Sequence, residues 1–295
     1  MSKADKIFVN MCTDILTNGT DTRSEKVRPI WKDTGEKAYT KKIFGHVAKY
    51  DLREEFPALT LRKTGIKSAI NEVLWIFQKK SNNIHDLKPH IWDSWADSTG
   101  SIGKAYGYQI GKKFKTHGMM MDQMDNILYE LKNTPYSRRM ITSIYNHSEL
   151  SEMNLYPCCW SLTFNVTDEG YDKLVLNCVL NQRSNDVLAA NNWNVVQYSA
   201  LLMMIAQSVN MIPGVLLHVI ADAHIYDRHI PIVEELIKRE QYPAPTVILD
   251  KDITDFYKFT EDSFIIENYK TGEQIKNIPI AVWKDDNNAF RYRNV

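Results

Sequence analysis

The sequence predicts an α+β fold, and three observations carry that prediction. Several stretches repeat apolar residues at the spacing of a helix face. Others alternate apolar and polar residues over the length of a strand. The two kinds interleave without regular strand–helix–strand units. No Gly/Ser/Pro-rich linker or internal repeat divides the chain, so one domain is the simplest organisation.

The first helix is expected over residues 4–17, ending near Asn18-Gly19. The polar, turn-rich TDTRSEKVRPIWKDTGEKAYT reads as a loop, and KKIFGHVAKYDL as a strand. In TGIKSAINEVLWIFQKK, residues Ile66, Ile70, Val73, Leu74 and Phe77 fall at helical spacing. Another helix is expected over 121–133, stopped near Pro135. CWSLTFNV and KLVLNCVLNQR read as strands around the turn TDEGYD. Period-two alternation puts Cys158, Trp160, Leu162, Phe164 and Val166 on one face, and Cys159, Ser161 and Thr163 on the other, so the two cysteines differ in environment unless a bulge intervenes. NVVQYSALLMMIAQSVNMI is apolar enough to be a buried central helix. VLLHVIADAHIY reads as another strand, and the tail mixes short strands and loops.

At 295 residues and 44% hydrophobic, the chain can build a sizeable core. Lys plus Arg and Asp plus Glu each number 36, and a zero formal charge argues against a dedicated nucleic-acid binder. No apolar run reaches the roughly 18 residues of a membrane span. The N-terminal MSKADKIFVNMCTDIL carries no secretory or transit pattern. Cys12, Cys158, Cys159 and Cys178 form no CxxC pair, so reduced thiols in the cytoplasm are expected.

Several residues carry chemistry. A cysteine on an apolar face is most often structural. As a nucleophile, Cys158 needs nearby positive charge, which Arg183 of QRSND and Arg138 and Arg139 of SRR can supply. Deaminase-type HxE with PCxxC is absent, as are HExxH and GxSxG, so no metal and no serine triad are expected. Glu72 has Trp75 and Ile76 one turn on, so its carboxyl needs a partner or an elevated pKa, and both suit proton handling. Trp92 and Trp95, near GSIGKAYG, are core aromatics or a platform for a flat cofactor. His224 and Tyr226 share a strand face.

Taken together, EFPALTLRK, INEVLW, IWDSW, AYGYQ, SRRMI, LYPC, QRSND, WNVVQY and DAHIYDRH resemble the thymidylate synthase family in order and spacing, over roughly residues 4–282. The resemblance implies an α+β sandwich around a mixed sheet, surrounded by helices, in a homodimer packed sheet to sheet. It implies residues 1–282 as one catalytic domain, with 283–295 as an extension of unknown role. It also implies reductive methylation of dUMP to dTMP. The one-carbon unit and hydride would come from 5,10-methylenetetrahydrofolate, leaving dihydrofolate.

The resemblance also assigns roles. Cys158 matches the nucleophile that adds to carbon 6 of uracil. Asn194 matches the reader of the O4 and N3 edge, where dCMP enzymes carry aspartate. Glu72 matches the carboxylate that manages protons around O4, and Tyr106 a tyrosine near the carbon 5 proton. Arg28, Arg183 and Ser184 are expected on the phosphate, with Arg138 and Arg139 from the other subunit. Gln182 is expected on the substrate, and His224 and Tyr226 on the ribose 3′-hydroxyl. Asp186 is expected on the substrate and matches the aspartate that contacts the pterin. Ile91, Trp92, Trp95, Leu155, Trp193 and Ala281 are expected along the folate pocket. Arg28 is preferred to Arg23 because R-P-x-W-x-D-x-G fits the family loop.

The chain departs from the family in four places. Cys159 takes a position usually held by histidine and reads as tolerated rather than catalytic. Arg62 stands for a usual lysine, which keeps charge but not geometry. LAANNWN replaces L-G-L-P-F-N with the Arg183-to-Asn194 spacing unchanged. WKDDNNAFRYRNV follows Val282, so that residue lacks the terminal carboxylate that helps close the family's lid. A leaky lid would favour a dUMP hydroxymethylase. A non-catalytic nucleotide-binding protein is the other rival, opposed by the intact Cys158, Arg183, Asn194 and Glu72.

Overall fold

The computed structural model describes residues 1–282. The extension 283–295 lies outside the described residues. The helices are α1 (Lys3–Asn18), α2 (Ile66–Phe77), α3 (Gly107–Gly111), α4 (Gln123–Asn133), α5 (Asn191–Ser208) and α6 (Ile230–Leu236). The strands are β1 (Thr20–Asp21), β2 (Ile30–Trp31), β3 (Thr40–Asp51), β4 (Phe114–Thr116), β5 (Met119–Met121), β6 (Ile141–Ser143) and β7 (Cys159–Thr167). There follow β8 (Val175–Gln182), β9 (Asn185–Asp186), β10 (Ile212–Tyr226), β11 (Thr246–Leu249), β12 (Phe264–Glu267) and β13 (Ala281–Val282).

Each predicted helix forms, for visible reasons. The Ser2 hydroxyl accepts the Asp5 N–H and starts α1, which buries Phe8, Met11, Cys12 and Ile15 along one stripe. Asp122 caps α4 in a reciprocal arrangement with Asp125. Helix α5 is apolar on most sides and therefore sinks into the core against α2. Its first turn is pinned by Asn192, which donates to the Pro57 carbonyl at 2.9 Å and accepts from the Leu59 N–H and the Thr64 hydroxyl.

The main sheet runs β1-β3-β10-β8-β7-β6, with β9 beside β10. Strand β10 is antiparallel to β3 and parallel to β8, so the sheet is mixed, as the family resemblance implied. The register separates its two faces. The row Thr142, Leu162, Leu180, His218 and Ala48 is buried under α2 and α5. The row Ile141, Thr163, Val179, Leu217 and Lys49 faces away from them. On that outer side Ile141 is 51% exposed and Val47 56%.

One strand expectation fails at its start. Leu162, Phe164 and Val166 share the buried face as predicted, but Cys158 and Trp160 do not join them. The β7–β8 register slips between Cys159 and Ser161, leaving Trp160 as an unpaired bulge residue. One extra residue reverses the alternation. Cys159 therefore sits inward opposite Gln182, Trp160 is 37% exposed, and Cys158 lies just before the strand. The polar stretch after α1 is largely irregular, as expected, yet it carries β2. That strand pairs with β13 through Ala281–Trp31 and Val282–Ile30.

Gly107 opens α3 with no room for a side chain, since a Cβ there would stand 2.2 Å from the Ser81 carbonyl oxygen. The preceding Tyr106 has φ +47°, a backbone region costly for a bulky residue. Gly107→Ala is expected to lower stability by about 2 kcal/mol in urea denaturation. An unchanged unfolding midpoint would show that this turn has slack.

Candidate active site

Where β7 begins and β8 ends, side chains from five segments enclose a cavity of about 290 Å³. Cys158 and Gln182 come from the sheet's end, and Glu72 from the middle of α2. Trp193 and Asn194 come from the first turn of α5. Ile91, Trp92, Trp95 and Tyr106 line the third side, and Leu155 the approach to Cys158.

Arg183 fixes the segment that carries Cys158. Its backbone N–H donates to the Cys158 carbonyl at 3.0 Å. Its guanidinium donates to the carbonyls of Pro157 and Tyr156, each at 3.0 Å, and reaches the Cys158 Sγ at 3.7 Å. Burial pushes the Cys158 thiol above its ordinary pKa, and the Arg183 charge opposes that rise. Cys159 is buried more deeply, and its thiol lies well above the ordinary range through burial, with Cys158 adding to the shift. Of the two, only Cys158 has an arginine within reach of its sulfur among the described residues.

Glu72 is 6% exposed. Trp92 Nε1 donates to one carboxyl oxygen at 2.8 Å and Trp193 Nε1 to the other at 2.6 Å. Burial raises the carboxyl to a pKa of about 7 despite the two indole donors. Both sequence alternatives hold at once: the group has partners and an elevated pKa. Near neutrality it can give or take a proton. Tyr106 lies well above its ordinary value through burial, with Cys158 and Cys159 adding to the shift. Trp92 packs edge-on against Tyr106 and Trp95, with centroids 4.8 and 5.5 Å apart, so one wall is aromatic.

Asn194 Oδ1 accepts from Gln182 Nε2 at 3.2 Å, and its Nδ2 donates to Gln197 Oε1 at 3.0 Å. Asp186 is held beneath. It accepts the Ala189 N–H at 3.1 Å and lies 3.6 Å from His229 Nδ1. Burial works against its charge, but His229, His224 and that N–H bring its pKa below the usual value. Arg62 is half-buried and donates to the Leu188 carbonyl, so the departure from lysine ties down the LAANNWN segment.

Other predicted residues lie outside the cavity lining. Ser184 and Asp186 are buried beside it. His224 bonds Asp222 through Nδ1 at 2.7 Å, its buried Nε2 has no partner among the described residues, and its ring meets that of Tyr226 at 5.2 Å. Arg28 is exposed on the loop before β2, and Ala281 is buried in β13 across from that strand. The loop is braced by Arg228, which binds Asp33 and Glu36 and lies over the Trp31 ring. Arg23 is paired with Asp21. Arg138 and Arg139 are exposed between α4 and β6, with no ion pair among the described residues.

The sequence reading named Ile76 only as a neighbour of Glu72 and did not single out Ala189, Ala190, Gln197 and Tyr198; all five also line the cavity. Gln197 and Tyr198 stand three and four residues after Asn194 on α5, a spacing that puts them on its face. Among the described residues, no group of three or more His, Cys, Asp or Glu side chains could hold a metal. None of their helices is long and apolar enough to cross a membrane.

A family model described as thymidylate synthase matches residues 6–282, and the chain belongs to that family. Among its relatives is the thymidylate synthase of Bacillus subtilis subsp. natto, 39% identical over 279 residues, which cover 93% of this chain and 98% of the relative. That of Bacillus licheniformis is 40% identical over the same shares. The solved structure of thermostable thymidylate synthase A from Bacillus subtilis superposes with a TM-score of 0.88 at 38% identity, covering 95% of this chain and 99% of that one.

Glu72→Gln tests the buried carboxyl. Its folded pKa lies above the unfolded value, so its stabilising contribution is complete at low pH and fades as pH rises toward 7. The difference in melting temperature, variant minus wild type, should grow between about pH 5 and about pH 8. A difference flat in pH would mean that Glu72 titrates as an ordinary surface carboxylate.

Proposed function

We propose that the protein converts dUMP to dTMP with 5,10-methylenetetrahydrofolate, residues 1–282 acting as one catalytic unit. One observation carries the reading: Cys158, backed by Arg183, opens into the same cavity as Asn194 and Glu72. Carbon 5 of uracil is a poor nucleophile. Addition of the Cys158 thiolate to carbon 6 moves an electron pair onto O4 and makes carbon 5 nucleophilic. Asn194 then meets the developing charge at O4 with an N–H, and Glu72 manages the proton there through water. Tyr106 assists removal of the carbon 5 proton, which its position beside Cys158 in the cavity supports.

The folate supplies the one-carbon unit and the hydride. The fit is supported by Trp92, Trp95 and Trp193, which with Ile91 and Leu155 offer flat apolar walls for a pterin, and Asp186, bonded to the lining residue Ala189, contacts its polar edge. Ala281 covers the folate from β13, a reading supported by its pairing with Trp31 on the strand that follows Arg28. Arg28, Arg183 and Ser184 bind the phosphate. His224 and Tyr226 hold the ribose, and the His224 Nε2, without a partner among the described residues, supports this because a sugar hydroxyl would satisfy it.

Two copies associate through the outer face of the sheet. Ile141, Val47 and Trp160 leave that face apolar and open, and Arg138 and Arg139 beside β6, without an ion pair among the described residues, carry charge toward a partner's phosphate site. The chain works in the cytoplasm, where its four unpaired cysteines stay reduced.

Purified protein with dUMP and the folate should yield dTMP and dihydrofolate, read by mass and absorbance. Hydroxymethyl-dUMP with tetrahydrofolate would instead mean that water quenches the intermediate. Cys158→Ser should abolish turnover and keep nucleotide binding, and surviving turnover would remove Cys158 as nucleophile. Ile141→Lys should convert a sedimenting dimer to monomer and reduce activity at least about a hundredfold, since each interfacial arginine contact to a dianion is strong. A wild-type protein that sediments as an active monomer would overturn the shared site.

A further inference from the structure

Strand β10 buries a histidine, His218, that no step of the proposed reaction uses. It is wholly buried on the inner face of the sheet, two strand positions before the row holding Gln182. Its Nε2 stands 2.7 Å from Gln182 Oε1, and its Nδ1 has no partner among the described residues. Burial pushes the imidazole down to a pKa of about 3, with His46 adding to the shift, so the ring is neutral and carries a single N–H.

The direction of each bond in this chain follows from one group that cannot donate. Gln182 Nε2 lies 2.9 Å from the Ser184 carbonyl oxygen. A carbonyl accepts only, so the Gln182 amide must turn its NH₂ that way. Its Oε1 then faces His218, whose single proton must sit on Nε2. The same Gln182 NH₂ donates to Asn194, which makes the contacted atom of Asn194 its Oδ1. Asn194 Nδ2 points to Gln197 Oε1. Each polar atom of the Asn194 amide keeps one valence: a lone pair on Oδ1 and an N–H on Nδ2.

We propose that His218 is a positioning residue that, through Gln182, fixes the donor–acceptor polarity of Asn194 and so selects uracil over cytosine. This rests on Asn194 reading the pyrimidine edge. Uracil offers an N3–H donor beside the O4 acceptor, which matches the free lone pair and N–H. Cytosine offers a bare N3 beside an amino donor and mismatches both. An Asn amide free to flip would accept either base. Gln182, held at one end by Ser184 and at the other by His218, denies that flip. Without the His218 donor, Gln182 Oε1 becomes a buried acceptor with no partner, and the amide swings to find one.

The test compares dissociation constants of dUMP and dCMP for the full chain, read by tryptophan fluorescence. In His218→Leu, dUMP binding should weaken and the preference for dUMP over dCMP should fall about tenfold or more. His218→Gln keeps an N–H at similar reach and should restore most of the preference. If the leucine variant does not fold, His218→Asn, polar but too short to reach Gln182, should show the same loss. A histidine that only supports the fold would lower the melting temperature and leave the preference untouched. That result, with wild-type preference intact, overturns the role of His218 alone. A wild type that does not prefer dUMP removes the reading of Asn194, and the proposal with it.

Discussion

Arg183 is the constraint on which the site depends. It leaves the end of β8, turns under the residues before β7, and ties their carbonyls with its side chain and its own N–H. Those residues precede the strand and have no sheet ladder to hold them. Hydrogen bonds from a charged donor contribute roughly 1.5–3 kcal/mol each. A lysine has the charge but no planar fork to hold two neighbouring carbonyls and still face the sulfur. The geometry of Cys158 is thus a property of Arg183 more than of the strand that Cys158 precedes.

The same contact decides the electrostatics. Taking a thiol out of water raises its pKa, and both neighbouring cysteines show that effect. The Arg183 guanidinium opposes it at both thiols, but only the Cys158 sulfur lies within reach of that group. Glu72 balances differently. Two indole donors favour its ionised form, yet burial wins and leaves a carboxyl that titrates near neutrality. The indoles of Trp92 and Trp193 therefore serve two ends, since they orient the acid and also wall the cavity.

Much of this was legible in the sequence, for physical reasons. Periodic stretches such as the one containing Ile66, Ile70 and Val73 became helices because a single face had to be buried. The order of short motifs located Cys158, Glu72, Asn194 and the tryptophans, which the fold gathers into one cavity. That a bulge forms, and that it falls at Trp160, was not legible beyond its standing as an alternative. Period two is a property of an uninterrupted ladder, and the slip arises in the pairing with β8, some twenty residues further on. Nor did local spacing reveal the partners of Glu72. Trp75 and Ile76 are its neighbours on α2, whereas its hydrogen bonds come from Trp92 and Trp193 in other segments. Arg28, Arg138 and Arg139 stay outside the cavity of the single chain, and their meaning depends on what approaches that surface.

The mixed sheet also sets a timetable. Strand β3 is finished by Asp51, yet its long partner β10 begins only at Ile212, roughly 160 residues later. Ribosomes add about 5–20 residues each second, so β3 waits on the order of ten seconds for the strand that completes it. During that interval an edge with unsatisfied backbone groups is displayed to every neighbouring nascent chain. Strand β8 waits as well, because β10 joins both. The centre of the sheet is the last part of it to be translated, so the sheet can close only after Tyr226 has been made.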